Sequence, residues 1–509
     1  MPIKLEFEFS AATGSQAQRQ QDDPFVMLAL GDFSGHADRH PNDPSWLMQV
    51  PVRSVDLDSI DQLWAHIKPR LDLNIEGCQV CFEPSALDDF HPDQLYRALP
   101  VFEELRQMRK RLLDPATASD TLSELIKSQP SETETGTDTN DEAMSAPTED
   151  GTQMFGRLLG GARPGSASAG SSAEPTPSGI EKLLHKAVAA HIVHEPDPRV
   201  ESAIGAVDKA IAETMRKMLH HPEFQELEGA WRSLYELIYA SEIGEELVLK
   251  VCSVSKQELL TGLPQSMENM HESGLYQLLV GRQQRAADDV GYSLLVCNYF
   301  FGGNADDVAL LASLGSMAEL NDATVIGAAK SELLGSTSLA QEPDFNAWLK
   351  VESALWQQLR SSPMANRIGL ALPRILGRLP YGDGYERVDS FEFEEQLSVE
   401  YEISNHENFL WVNPSLYLAG LLAQSFTEQS WNMRPEDHTD IGGLPVYTYA
   451  IHGEKRMLPT AETLLSERSA EAVLQLGLMP IVSFRNRDLA KLIRFQSIAC
   501  PLAELKGPW

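Results

Sequence analysis

The sequence predicts an α/β protein: a small α/β domain tethered to a larger mixed α/β domain. Two observations lead there. Short apolar or alternating runs recur between amphipathic stretches, the usual sign of strands covered by helices. An acidic, Ser/Pro/Gly-rich break near residues 129–179 also has a folded-looking sequence on each side. The expected division is residues 1–127 for the small domain, 128–179 for a linker and 180–509 for the large domain.

In the first half, Ile3 to Phe9 alternates apolar and charged residues, the pattern of a half-buried strand. Pro24 to Leu30 is a continuous apolar run closed by Gly31 and Asp32, which predicts a strand buried on both faces. Pro51–Asp56 predicts a short strand leading into a helix over 59–67, and residues 71–75 and 79–83 predict two more strands. Residues 93–113 predict one long amphipathic helix, with Leu95, Leu99, Phe102, Leu105, Met108 and Leu112 on one face.

The break holds seven acidic residues and no Lys or Arg between Gln129 and Asp150, then Gly-Ser-Ala-Pro sequence from Gly160 to Gly179. Such a segment buries too little apolar area to offset its ordering entropy, and it predicts a self-repelling tether. Met154–Leu159 is a short apolar island within it.

In the second half, residues 180–194 and 200–219 predict helices. Pro222 opens another helix as a first-turn residue, ahead of Leu227, Trp231 and Leu234. Strands are predicted over 246–252, 292–297, 324–329 and 368–373, with a helix over 306–320.

Composition narrows the function. A net charge of -33 repels phosphate backbones, and the basic cluster Arg106, Arg109, Lys110 and Arg111 reads as a solvated helix face, so no nucleic-acid partner is expected. The N-terminal residues form no signal peptide, and no apolar run is long enough to span a bilayer, so no membrane insertion is expected. Five cysteines in 509 residues suit a reducing compartment, and the cytoplasm is the expected location.

Catalytic, cofactor-binding and metal-binding residues are all expected to be absent. Cys78 and Cys81 form a lone CxxC that reads as core or surface thiols, because residues three apart on a strand point to opposite faces. His220–His221 reads as a helix start, and Gly302–Gly303 and Gly442–Gly443 read as turns without a phosphate-binding fingerprint. Asp383, Glu386, Asp389, Glu392, Glu394 and Glu395 lack calcium-loop spacing and read as a solvated acidic loop. On these grounds the chain is not expected to be an enzyme; a degenerate α/β active site is the alternative from another class.

Several motifs carry a family resemblance. Pro24–Met27 through Gly31–Gly35, Phe82–Glu83, Asp88–Pro92 and the following helical sequence resemble the small sheath subunit of type VI secretion systems, the TssB or VipA family. The second half resembles the large sheath subunit, the TssC or VipB family. It does so through Leu219–Glu228 with Trp231–Arg232, Asp306–Leu311, Leu372–Arg374, Arg378–Gly382, Phe391–Glu395, Asn408–Trp411, Gly442–Val446 and Gly477–Pro480, in family order.

The resemblance implies a structural protomer of a contractile sheath around an inner tube, here with both subunits fused one to one. It also implies that the large subunit continues beyond the point where this chain stops. From these readings the expected role is a terminal, cap-like or baseplate-associated unit, with a self-polymerising sheath protomer as the alternative. The expected partners are sheath or baseplate proteins, the inner-tube protein and a recycling unfoldase, in an oligomer. Ile3, Leu5, Phe7 and Phe9 are expected to add as a strand to another chain. The 93–113 helix is expected to pack the small domain on the large one.

Overall fold

A computed structural model of the chain describes residues 23–35, 43, 45–75, 77–127, 198–264, 269–282, 290–349, 353–397, 403–451 and 454–509. The Ile3–Phe9 strand, the linker with its 154–159 island, and the 180–194 helix lie outside these residues.

The sequence of the buried strand decides the architecture. Phe-Val-Met-Leu-Ala-Leu-Gly, β1 (Phe25–Gly31), is apolar on both faces and buried at every position. Such a strand needs cover above and below and a neighbour on each side. It finds all of them in the second half of the sequence. Among the described residues, the strands of the first half are β1, β2 (Arg53–Val55), β3 (Leu71–Ile75) and β4 (Cys78–Phe82). Next come β5 (Leu247–Ser253), β6 (Leu294–Phe301), β7 (Thr324–Ala329), β8 (Ile368–Leu372), β9 (Ile375–Leu376) and β10 (Trp411–Val412). The chain closes with β11 (Asp440–Ile441), β12 (Thr448–Ile451), β13 (Glu454–Met457), β14 (Met479–Ser483) and β15 (Ala490–Leu492).

Nine of these form one sheet in the order β11-β15-β14-β8-β7-β6-β1-β5-β2. Its centre is parallel. Phe25 to Gly31 run in register with Leu247 to Ser253 on one side, and Met27 to Leu30 with Leu294 to Cys297 on the other. At the edges β2 pairs antiparallel with β5, and β15 with both β14 and β11.

The alternation along β1 divides its side chains between two layers. Val26, Leu28 and Leu30 join a core with Leu310, Leu311 and Leu314 of the Ala305–Asn321 helix. On the opposite face, Phe25 meets Phe426 of the Ser415–Gln429 helix at 5.0 Å between ring centroids. The helix between β6 and β7 starts where expected because Asn304 caps it, accepting from the Asp307 amide at 2.9 Å. Pro222 likewise opens the Pro222–Ala240 helix.

The compact units do not follow the sequence halves. One takes in the chain up to Leu99 together with Met215–Trp509; the other is Pro100–Thr214. The single helix expected over 93–113 is a correction. Leu99 is extended at φ −84°, ψ 133°, and the helix stops at Ala98. The following Pro100 disfavours a helical residue before it and supplies no amide. A 3-10 turn, Pro100–Phe102, then leads into a second helix, Glu103–Leu113. Within the smaller unit, Arg109 is tied to Asp208 at 2.6 Å and Arg111 to Glu124 at 3.2 Å. Arg106 pairs with Glu103.

Candidate functional site: the join of the two halves and the groove beside it

Inside the larger unit the first half meets the second through aromatic residues. Trp64, on the Ile60–Ile67 helix, stacks on Trp231 of the Pro222–Ala240 helix with centroids 3.7 Å apart. Phe33 lies edge-on to the same Trp231, whose Nε1 donates to the Phe33 carbonyl at 2.9 Å. The β3–β4 hairpin turns at Gly77, where φ is +86° and glycine avoids the left-handed strain. It presents Phe82 to Phe90 and Phe224 at 5.3 and 5.5 Å. Each ring in this cluster buries a large apolar surface, and edge-on or offset pairs add to that burial.

Charge is buried next to this cluster. Glu228 is fully buried on the Pro222–Ala240 helix. Arg378 donates to it from Nε at 2.7 Å, and to Glu395 from Nη1 at 2.7 Å and Nη2 at 3.1 Å. Arg232 donates to Glu228 at 2.8 Å and to the Tyr381 hydroxyl at 3.1 Å. The Tyr381 amide donates to Glu395 at 2.8 Å, and the Arg378 guanidinium lies over the Tyr381 ring at 4.2 Å. Burial pushes the Glu395 carboxyl up, but Arg378 with His220 overrides it and holds the group at about 2. Burial works against the Arg378 charge as well, yet Glu228 and Glu395 hold its pKa well above the ordinary value.

The first half touches this network. His91 packs edge-on to Tyr381 at 5.0 Å. Asp93 accepts from the amides of Asp389 and Ser390 at 3.1 and 2.9 Å. Burial raises the Asp93 pKa, but these hydrogen bonds outweigh it and leave the group below its ordinary value.

Glu395 is a correction to the solvated acidic loop. Along Phe391–Glu395, the residues Phe391, Phe393 and Glu395 are buried, and Glu392 and Glu394 are exposed. The period of two carries Glu395 inward, and Arg378 makes that position tolerable for a carboxylate.

Of the residues expected to pack the halves together, Leu95 and Leu99 are buried in the larger unit; Phe102 and Leu112 are buried and Leu105 and Met108 half-buried in the smaller one. Trp64, Phe82, Phe90, His91, Asp93 and Tyr96 make contacts across the join in the larger unit; Phe82, Phe90 and His91 lie in the motifs of the small-subunit resemblance, but none of the six is among the expected packing residues. Tyr96 lies 4.9 Å from Phe391. A signal was present: Trp64, Phe82 and Phe90 are large apolar residues scattered among polar ones, too many to fill a small core alone.

An open groove of about 1720 Å³ runs along the carboxyl ends of the parallel strands. Asp32 after β1, Ser255 and Lys256 after β5, Lys330 after β7 and Arg374 after β8 all line it. This is the edge of an open α/β sheet where ligands commonly bind. Lys256 pairs with Asp307 there. Burial pushes the Lys256 ammonium down more than that pairing restores it.

Deeper in the wall, Arg374 bridges Glu407 at 2.8 Å and Glu462 at 2.7 Å. Burial raises the Glu462 carboxyl, but His406 and Arg374 bring it to about 2. His406, Glu407 and Glu462 offer three ligand atoms within 4.8 Å of one another. Arg374 already engages both carboxylates and offsets one of their two charges, so the trio reads as part of an ion-pair network.

The thiols divide by environment. Cys78 and Cys81 are exposed on β4, whereas Cys252 and Cys297 are buried and pushed up to about 12. Among the described residues, no helix is long and apolar enough to cross a membrane.

An α/β sheet completed by a strand from a separate stretch of sequence, and locked by buried aromatic and ionic contacts, belongs here to the class of contractile tail sheath proteins. Residues 201–499, more than half of the chain, match VipB (EvpB), tail sheath N-terminal domain, and residues 3–135 match VipA of the type VI secretion system. The chain therefore belongs to the VipB tail sheath family and carries a VipA-type sequence in the same polypeptide, a fusion of TssB and TssC types. It is 30% identical over 319 residues to the type VI secretion system sheath protein TssC1 of Pseudomonas aeruginosa. That match covers 61% of this chain and 63% of the relative, so the chain spans less than two thirds of the relative's length.

Proposed function

We propose that this chain is a structural protomer of a type VI contractile apparatus in which the two sheath subunit types are delivered as one covalent unit. The observation that carries the reading is β1. It comes from the VipA-matching sequence, yet it lies between β5 and β6 of the VipB-matching sequence. A strand with partners on both sides is not a docking contact that comes and goes. Covalent linkage fixes the one-to-one ratio and raises the effective concentration of the halves to the order of millimolar for a flexible tether.

The work of the protomer on this reading is mechanical and not catalytic, and it takes place in the cytoplasm. Its partners are other sheath or baseplate proteins, with the inner-tube protein and a recycling unfoldase following from the same family role. Assembly uses strand addition by Ile3, Leu5, Phe7 and Phe9, whose alternation suits pairing with an open sheet edge. The finer placement is a terminal or baseplate-associated unit.

Electron microscopy of the purified chain, alone and mixed with separate sheath subunits of the same organism, tests both levels. Particles that appear at the ends of sheath tubes support the terminal unit. Long hollow tubes of this chain alone replace it with the self-polymerising protomer. Failure to associate with any sheath in either condition contradicts the sheath role.

A further inference from the structure

We propose that the groove along the carboxyl ends of the parallel strands is a docking site for a cationic peptide segment of another protein. Three carboxylates define one wall. Asp32, Glu223 and Glu226 all line the groove, and none of them has an ion-pair partner among the described residues. Glu226 opens to the groove, yet desolvation raises its pKa, and Asp32 and Glu223 raise it further. These carboxylates repel one another without a counter-charge, and a Lys or Arg side chain brought among them relieves that repulsion.

The second observation is independent of charge. Asn413 also lines the groove and is only 5% exposed. Its Oδ1 accepts from the Ser415 amide at 2.9 Å, which orients the side chain. Its Nδ2 has no hydrogen-bond partner. A buried donor without an acceptor costs free energy, and because Nδ2 is covered in this structure, a carbonyl that shifts the wall to reach it recovers that cost.

Carboxylates for cationic side chains and a waiting amide donor for a main-chain carbonyl together describe a peptide. Apolar residues also line the groove, among them Leu260 and Trp411, and suit apolar side chains of the same segment. Of the other ionic groups of the groove, Lys256 is matched with Asp307 and Arg374 with Glu407 and Glu462, while Asp306, Glu332 and Lys330 add two further carboxylates and one ammonium. The unmatched charge is therefore mainly negative, and an acidic or neutral segment gains nothing from it.

The site stands apart from the sheath reading because it is read on a single chain. Absence of tubes in the microscope leaves it untouched, and absence of peptide binding leaves the sheath role untouched. The test is fluorescence anisotropy of the full chain with a labelled peptide alternating Lys and Leu, against peptides alternating Glu and Leu, and Gln and Leu.

The Lys peptide is expected to bind, to weaken as salt rises, and to protect the segments around Glu226 and Asn413 from hydrogen exchange. Glu223→Gln with Glu226→Gln is expected to weaken binding roughly fivefold, as is Asn413→Ala. The Gln pair changes only groove-lining carboxylates, so it keeps the test decisive if Asn413→Ala does not fold. Three results overturn the proposal: no binding of the Lys peptide, equal binding of the Glu or Gln peptide, or unchanged binding by the Gln pair.

Discussion

Two neighbouring regions inside the larger unit, the seam between the sequence halves and the ionic network beside it, are built from opposite materials. At β1 and the Trp64–Trp231 stack the contact is apolar and ring-packed. The network at Arg378 is ionic, lies wholly within the second half with Glu228, Glu395 and Arg378 all nearly inaccessible to water, and is bordered by the first half through His91 and Asp93. Burial of apolar surface supplies association without direction, whereas a bidentate guanidinium accepts only one placement of its carboxylates. The difference suggests a division of labour: the apolar face holds the halves together, and the ionic face sets where the loop around Tyr381 sits.

A charge on the apolar face is the harshest way to break this division. Leu28→Asp puts an unpaired carboxylate in the middle of a nine-stranded sheet, an expected loss of more than about 5 kcal/mol. Soluble yield and circular dichroism check it. A folded, soluble variant would show that β1 is dispensable.

Arg378→Met comes next. It leaves Glu228 and Glu395 buried without their shared cation, at an expected cost of about 3–5 kcal/mol in chemical denaturation. Adding Glu228→Gln and Glu395→Gln to it sharpens the comparison. Recovery of most of the loss means that the network sets geometry more than stability. No recovery means that it also contributes net stability.

Acid gives the smallest effect per group. Glu395 and Glu462 both have folded-state pKa values lowered from 4.5 to about 2. Their stabilisation is therefore fully present above the unfolded pKa and lost as the pH falls from about 4.5 toward about 2. Each contributes on the order of 3 kcal/mol across that window. The denaturant midpoint should fall with pH there, and by less in Glu395→Gln.

What could be read in the sequence was local. The apolar run of β1 announces a strand buried on both faces, and the strand over 324–329 and the helix start at Pro222 are equally plain. Pro100 announced a helix break that the amphipathic spacing of Leu95 to Leu112 concealed. What could not be read was partnership. Nothing near β1 says that its neighbours lie more than two hundred residues away at β5 and β6. Glu395 reads as solvated because its cation is 17 positions distant and the second carboxylate on that cation is 150 positions from it. The groove is less legible still, since its walls come from the ends of several strands that only the folded sheet brings together.

The central claim is that the two sequence halves make one fold. It is tested most directly by placing a protease site between residues 140 and 145, cutting the purified chain and following the fragments through gel filtration. The fragments should elute together and separate only at the denaturant concentration that unfolds the sheet. Fragments that separate in native buffer, each still folded, would contradict the claim.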